Sequence, residues 1–115
     1  EGIEPGDFIV LKTRNSLASG FDPAYVFLDS EGAKYLVQKK VRGVGIDALS
    51  VERGQPDHAT HRLLLKEQIV IIEGLRLAQV SAGRYLLIAA PLAVVGAEAA
   101  PARVILAKGC QDMTI

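Results

Sequence analysis

Apolar residues fall in short solid runs along the chain, where a half-buried strand would alternate apolar with polar. Phe8-Ile9-Val10-Leu11 follows a Pro-Gly-Asp turn, and residues 41–46 form a run interrupted by Gly43 and Gly45. Ile69-Val70-Ile71-Ile72 is β-branched at every position, and Gly74 ends the run. Further strands are expected at 85–89, at Val94-Val95 and at 103–107, with Gly96 and Pro101 turning the chain between the last two. Solid runs predict a sheet covered on both faces, as in a parallel or mixed sheet flanked by helices.

Two segments carry helical spacing instead. Asp29-Ser30 offers a cap, Glu31 sits in the first turn, Ala33, Leu36 and Val37 share a face, and Lys39-Lys40 closes the helix. Asp57 is expected to cap a second, shorter helix through His61, Leu64 and Leu65, and 75–80 is expected to make one helical turn. Residues 14–23 and 47–56 read as loops. Strand–helix–strand–helix–strand followed by closely spaced strands predicts an α/β domain, with a mixed, mostly parallel sheet and an antiparallel end. That domain is expected to run over 1–107, with a weakly structured tail at 108–115.

Composition narrows the class. Half of the 115 residues are hydrophobic, enough for a packed core. Lys plus Arg equals Asp plus Glu at 13 each, so the basic excess of a nucleic-acid binder is missing. No apolar run approaches the roughly 20 residues of a membrane span, and no leader-like segment opens the chain. Cys110 is the single cysteine, which excludes an internal disulfide and points to a cytoplasmic setting. An ordinary free or half-buried Cys is the expectation for it.

Little of the remaining chemistry has a strong motif. Gly43-Val44-Gly45-Ile46-Asp47-Ala48 spells G-x-G-x-x-A, but its glycines lie inside a predicted strand, where the dinucleotide fingerprint needs them between strand and helix. Close packing or a bend explains them better. No phosphate-binding P-loop occurs, and Ser50 lacks a nucleophile-elbow context. His58, His61 and Glu73 are left. The two histidines are three apart and share a helix face. Glu73 closes a buried strand at the carboxyl edge, where α/β sheets place ligands. Imidazole and carboxylate suit zinc or manganese, although a complete site needs three or four ligands.

Several segments together resemble the kynurenine formamidase-like family of metal-dependent hydrolases, also known as the cyclase family. Residues 6–13 resemble its GD-x-V-L-x-x-T strand, and 44–52 resemble its VGID-x-x-S-x-(D/E) segment. His61-Arg62-Leu63-Leu64-Leu65 matches H-R-x-L-L, and Ile71-Ile72-Glu73-Gly74-Leu75 matches I-x-E-(N/G)-L. Gly83 to Tyr85, Ala90-Pro91-Leu92, Val95-Gly96 and the segment Ala100 to Val104 follow the family pattern in order.

The resemblance implies a swivelling β/β/α fold and hydrolysis of a formamide or cyclic amide, with His61 and Glu73 as metal ligands. One or two zinc or manganese ions would complete the centre. His58 has no counterpart and is expected at the surface or behind the ligands. Asp47 is expected to bind loop N–H groups, and Arg103 to orient a carboxylate. The family's motif H-x-G-T-H-x-D-x-P-x-H, which supplies the remaining ligands and a catalytic His, does not occur here. The chain is therefore expected to be the C-terminal portion of such a domain, incomplete on its N-terminal side and inactive alone. A small-molecule amide substrate and a homo-oligomer are the expected partners, with no nucleic acid and no membrane. The alternative is a non-catalytic α/β assembly or scaffold domain.

Overall fold

The computed structural model describes residues 2–109. Cys110 and most of the expected tail lie outside them. The described residues form two compact units, one ending at Val80 and the other beginning at Ser81.

The first unit is built as two strand–helix–strand passages. Strand β1 (Phe8–Leu11) leads to helix α1 (Ser30–Gln38), strand β2 (Gly43–Ile46), helix α2 (Ala59–Lys66) and strand β3 (Val70–Ile72). The sheet is parallel in the order β1-β2-β3, with Phe8 opposite Gly43 and Val44 opposite Ile71. The chain is therefore a mixed α/β protein with a parallel sheet, as the solid apolar runs predict.

Central β2 is buried at every position. Its Val44 and Ile46 join Ala33 and Leu36 of α1, Leu64 of α2, and Val51 and Ile69 in one core. Each fully buried side chain of this size contributes about 1.5–3 kcal/mol of transfer free energy. The glycines of β2 alternate with these residues, on the strand's other side. A Cβ at Gly43 would lie 2.1 Å from the Phe8 ring, and one at Gly45 would lie 2.7 Å from Leu75 Cδ1. The G-x-G spacing thus serves the close approach of two apolar side chains, not of a phosphate or a helix.

Caps and loops are set by carboxylates. Asp29 Oδ1 accepts from Gly32 N at 2.8 Å and starts α1. Asp47, just past β2, accepts from Thr13 N (2.8 Å), Thr13 Oγ1 (2.8 Å) and Ser16 N (3.2 Å), and from the Ser16 hydroxyl. It ties the loop after β1, which makes a single 3₁₀ turn at Arg14–Leu17, to the end of β2. Burial acts to raise the Asp47 pKa, but the Ser16 and Thr13 hydrogen bonds outweigh it and hold the carboxyl below the ordinary aspartate range.

Three local expectations are corrected. Asp57 does not cap α2: its backbone is left-handed (φ 57°), as is that of His58 (φ 51°), and α2 has no side-chain cap from the residue before it. The capping carboxylate comes from the preceding loop, as described below. Residues 75–80 form no helical turn and close only a Val80 N to Leu77 O bond of 2.9 Å. Val94-Val95 is not a strand. It lies in the exposed connection of the second unit, where β4 (Leu86–Pro91) pairs directly and antiparallel with β5 (Ala102–Ala107). Two β-branched residues without a neighbouring strand are too short to pair.

Candidate metal centre

The loop after β2 and the residue after β3 lie at the same carboxyl edge of the parallel sheet. Leu75 N donates to Ile46 O (3.1 Å) and Gly74 N to Ala48 O (2.7 Å), which carries the strand ends past each other in register. Glu73 is thereby set beside the 48–52 loop. Its Oε2 accepts the Val51 N–H at 2.6 Å.

His61 sits in the first turn of α2, over the same edge. Its ring is held from behind by Glu52, a residue that is only 5% exposed. Glu52 Oε1 stands 2.5 Å from His61 Nδ1 and accepts the His61 backbone N–H at 2.8 Å. Its other oxygen accepts from Gln55 Nε2 (2.6 Å) and Thr60 N (3.4 Å). The carboxylate therefore satisfies free N–H groups at the start of α2, where negative charge also suits the helix dipole. Burial works to raise its pKa. The bonds from the His61 N–H, Gln55, the His61 ring and Thr60 prevail, so the group titrates below the ordinary glutamate range.

The front of the ring faces Glu73, with His61 Nε2 and Glu73 Oε2 3.3 Å apart. Two donors about 2.0–2.1 Å from a tetrahedral ion stand roughly 3.3–3.4 Å from each other. The pair thus has the spacing of two ligands to one ion. Glu52, His58 and His61 also bring ligand-type atoms within 4.8 Å of one another. That trio fits an ion less well, because a 2.5 Å contact between Glu52 and Nδ1 is a short hydrogen bond with no room for a shared tetrahedral ion. His58 is exposed, its ring edge-on to that of His61 at 6.4 Å between centroids.

The family model described as Putative cyclase matches residues 1–53. A solved structure of a predicted metal-dependent hydrolase from Bacillus stearothermophilus superposes with a TM-score of 0.87 at 51% identity, covering 90% of this chain and 51% of that one. The chain belongs to the Cyclase family. Among relatives in that family, Cyclase-like protein 1 of Arabidopsis thaliana is 41% identical over 90 residues, covering 76% of this chain and 35% of the relative. A kynurenine formamidase of Bacillus cytotoxicus is 36% identical over 108 residues, or 92% of this chain and 50% of the enzyme. The chain thus spans a third to a half of the length of these Cyclase-family proteins.

Of the residues singled out in the sequence, His61 and Glu73 meet, and His58 stays at the surface beside them. Arg103, on exposed β5, forms no ion pair with a carboxylate among the described residues. Glu52 is the residue that sequence reasoning left without a role. Nine positions of loop and helix start separate it from His61, so no periodicity joins them. The available signal was a helix start whose apparent cap, Asp57, was followed by no Glu or Gln three residues on.

Proposed function

We propose that the chain contributes His61 and Glu73 to the metal centre of a hydrolase that cleaves a formamide or a related cyclic amide. One observation carries this reading. Nε2 of His61 faces Glu73 Oε2 at the spacing of two ligands to one ion, while Nδ1 of the ring is engaged by Glu52 and the same Glu73 oxygen accepts the Val51 N–H. Family membership and the superposition on a predicted metal-dependent hydrolase support it.

The chemistry of the donor set favours zinc or manganese, since imidazole and carboxylate are borderline and hard ligands. A bound divalent ion of this kind lowers the pKa of water from about 15.7 towards 7 and polarises a carbonyl. The chain's own part is to fix two donors at the carboxyl edge of the sheet. Val51 N–H holds one Glu73 oxygen, and Glu52 holds the back of the His61 ring. The general base and the further ligands are not supplied by the described residues, so little hydrolysis by this chain alone is expected.

Titration of the purified chain with Zn²⁺ and with Mn²⁺, beside His61→Ala and Glu73→Ala, tests the assignment. Weak binding lost in both variants is the expected result. Sub-micromolar zinc binding that survives both substitutions would place the ion elsewhere. For substrate class, a hydrolase domain that includes this chain together with the further ligands is expected to hydrolyse an aryl formamide such as N-formylkynurenine in preference to a cyclic imide.

A further inference from the structure

We propose that Glu52 is the positioning residue of this centre: it fixes the proton of His61 on Nδ1 and so leaves the Nε2 lone pair turned to the ion. The inference rests on the assignment of His61 and Glu73 as ligands and adds a residue that touches neither ion nor substrate.

An ionised carboxylate only accepts hydrogen bonds. Both Glu52 oxygens already accept from N–H donors, the His61 N–H at 2.8 Å on one and Gln55 Nε2 at 2.6 Å on the other, and each has room for a second. A ring nitrogen 2.5 Å from such an oxygen must carry the hydrogen. Nε2 is then the basic nitrogen, and it points at Glu73. The opposite tautomer would set a lone pair against the carboxylate at the back. It would also spend the Nε2 hydrogen on Glu73, closing the gap an ion would fill.

Glu52 is itself pinned. Gln55 reaches from it to Thr60 Oγ1 (2.8 Å) and, through its own oxygen, to Ser30 N (2.9 Å), while Thr60 Oγ1 donates to Leu28 O (2.7 Å). The carboxylate that orients the ring is thus braced against the starts of both helices. Ligand histidines commonly give their second ring N–H to such a carboxylate, and loss of that partner weakens metal binding about 10–100-fold.

The test is the tautomer itself, read from ¹⁵N–¹H long-range correlation spectra of the whole chain at about pH 8.5, some two units above the ordinary imidazole value. The chain holds only two histidines, and His58→Asn assigns them. His61 is expected as the Nδ1–H form. Glu52→Met, of similar length without an acceptor, is expected to lose that form and to weaken Zn²⁺ binding about 10–100-fold. Glu52→Gln, whose carbonyl oxygen can still take the Nδ1 hydrogen, is expected to restore the tautomer and most of the affinity. An Nε2–H signal in the unaltered chain overturns the proposal even if Glu52→Met fails to fold. So does a Glu52→Met variant with tautomer and affinity both unchanged. Undiminished Zn²⁺ binding in His61→Ala would sink the ligand assignment, and the proposal with it, in a readout separate from the tautomer.

Discussion

His61 presents one ring nitrogen to each of two carboxylates: Nδ1 lies 2.5 Å from Glu52 and Nε2 lies 3.3 Å from Glu73. The two contacts differ in kind. The shorter is a hydrogen bond, and the longer matches the spacing of two donors around one ion. Glu73→Gln is therefore expected to weaken Zn²⁺ binding while leaving the melting temperature nearly unchanged, because the amide oxygen can still accept the Val51 N–H. Isothermal titration beside thermal melts checks both halves.

His58 separates the two possible donor sets. If the ion sits between His61 and Glu73, His58→Ala leaves Zn²⁺ affinity within about twofold. A tenfold loss, about 1.4 kcal/mol, would instead favour the set of Glu52, His58 and His61.

Asp47 gathers four hydrogen bonds from Thr13 and Ser16. Asp47→Ala leaves loop N–H groups without their partner and is expected to cost about 1–3 kcal/mol, read from urea unfolding. The sign of its pH effect follows from its depressed pKa. A carboxyl that titrates lower when folded adds stability that is present above the unfolded value of about 3.9 and is lost as pH falls through the folded value. Asp47→Asn should flatten that acid limb of the stability curve.

The β2 glycines give a graded steric test. Gly43→Ala drives a methyl into the Phe8 ring, with three ring atoms within 2.7 Å, whereas Gly45→Ala meets the end of the Leu75 side chain. A rigid ring yields less than a leucine methyl. Gly43→Ala is expected to cost about 1–3 kcal/mol, with Gly45→Ala the milder of the two in denaturant titrations.

Leu64 is fully buried where α2 meets the core. Leu64→Ala is expected to cost about 2–5 kcal/mol. The same variant should loosen α2, which carries His61, so weaker Zn²⁺ binding is expected with the lost stability.

The parallel sheet was legible because its central strand is buried on both sides and its two flanking strands, although less buried, are apolar at every position. Helix α1 was legible from Asp29 because its cap is local. The start of α2 was misread for the opposite reason: its capping carboxylate is Glu52, brought in by the fold from the loop before it. Val94-Val95 was misread because two β-branched residues resemble a strand wherever they fall, and pairing depends on a neighbour that composition does not reveal. His61 and Glu73 were singled out through their resemblance to a family motif, while the spacing of 12 residues between them says nothing of their 3.3 Å approach until a helix start and a strand end are laid side by side.

One oxygen, Glu52 Oε1, receives both the backbone N–H of His61 and its ring. The amide hydrogen of His61 can exchange with solvent only when that contact opens, and opening it also frees the imidazole to turn. The exchange rate of a single main-chain hydrogen therefore counts how often the side chain leaves its working orientation. An ion that holds the ring from the front would slow that exchange, and the helix start becomes a built-in clock for occupancy of the site.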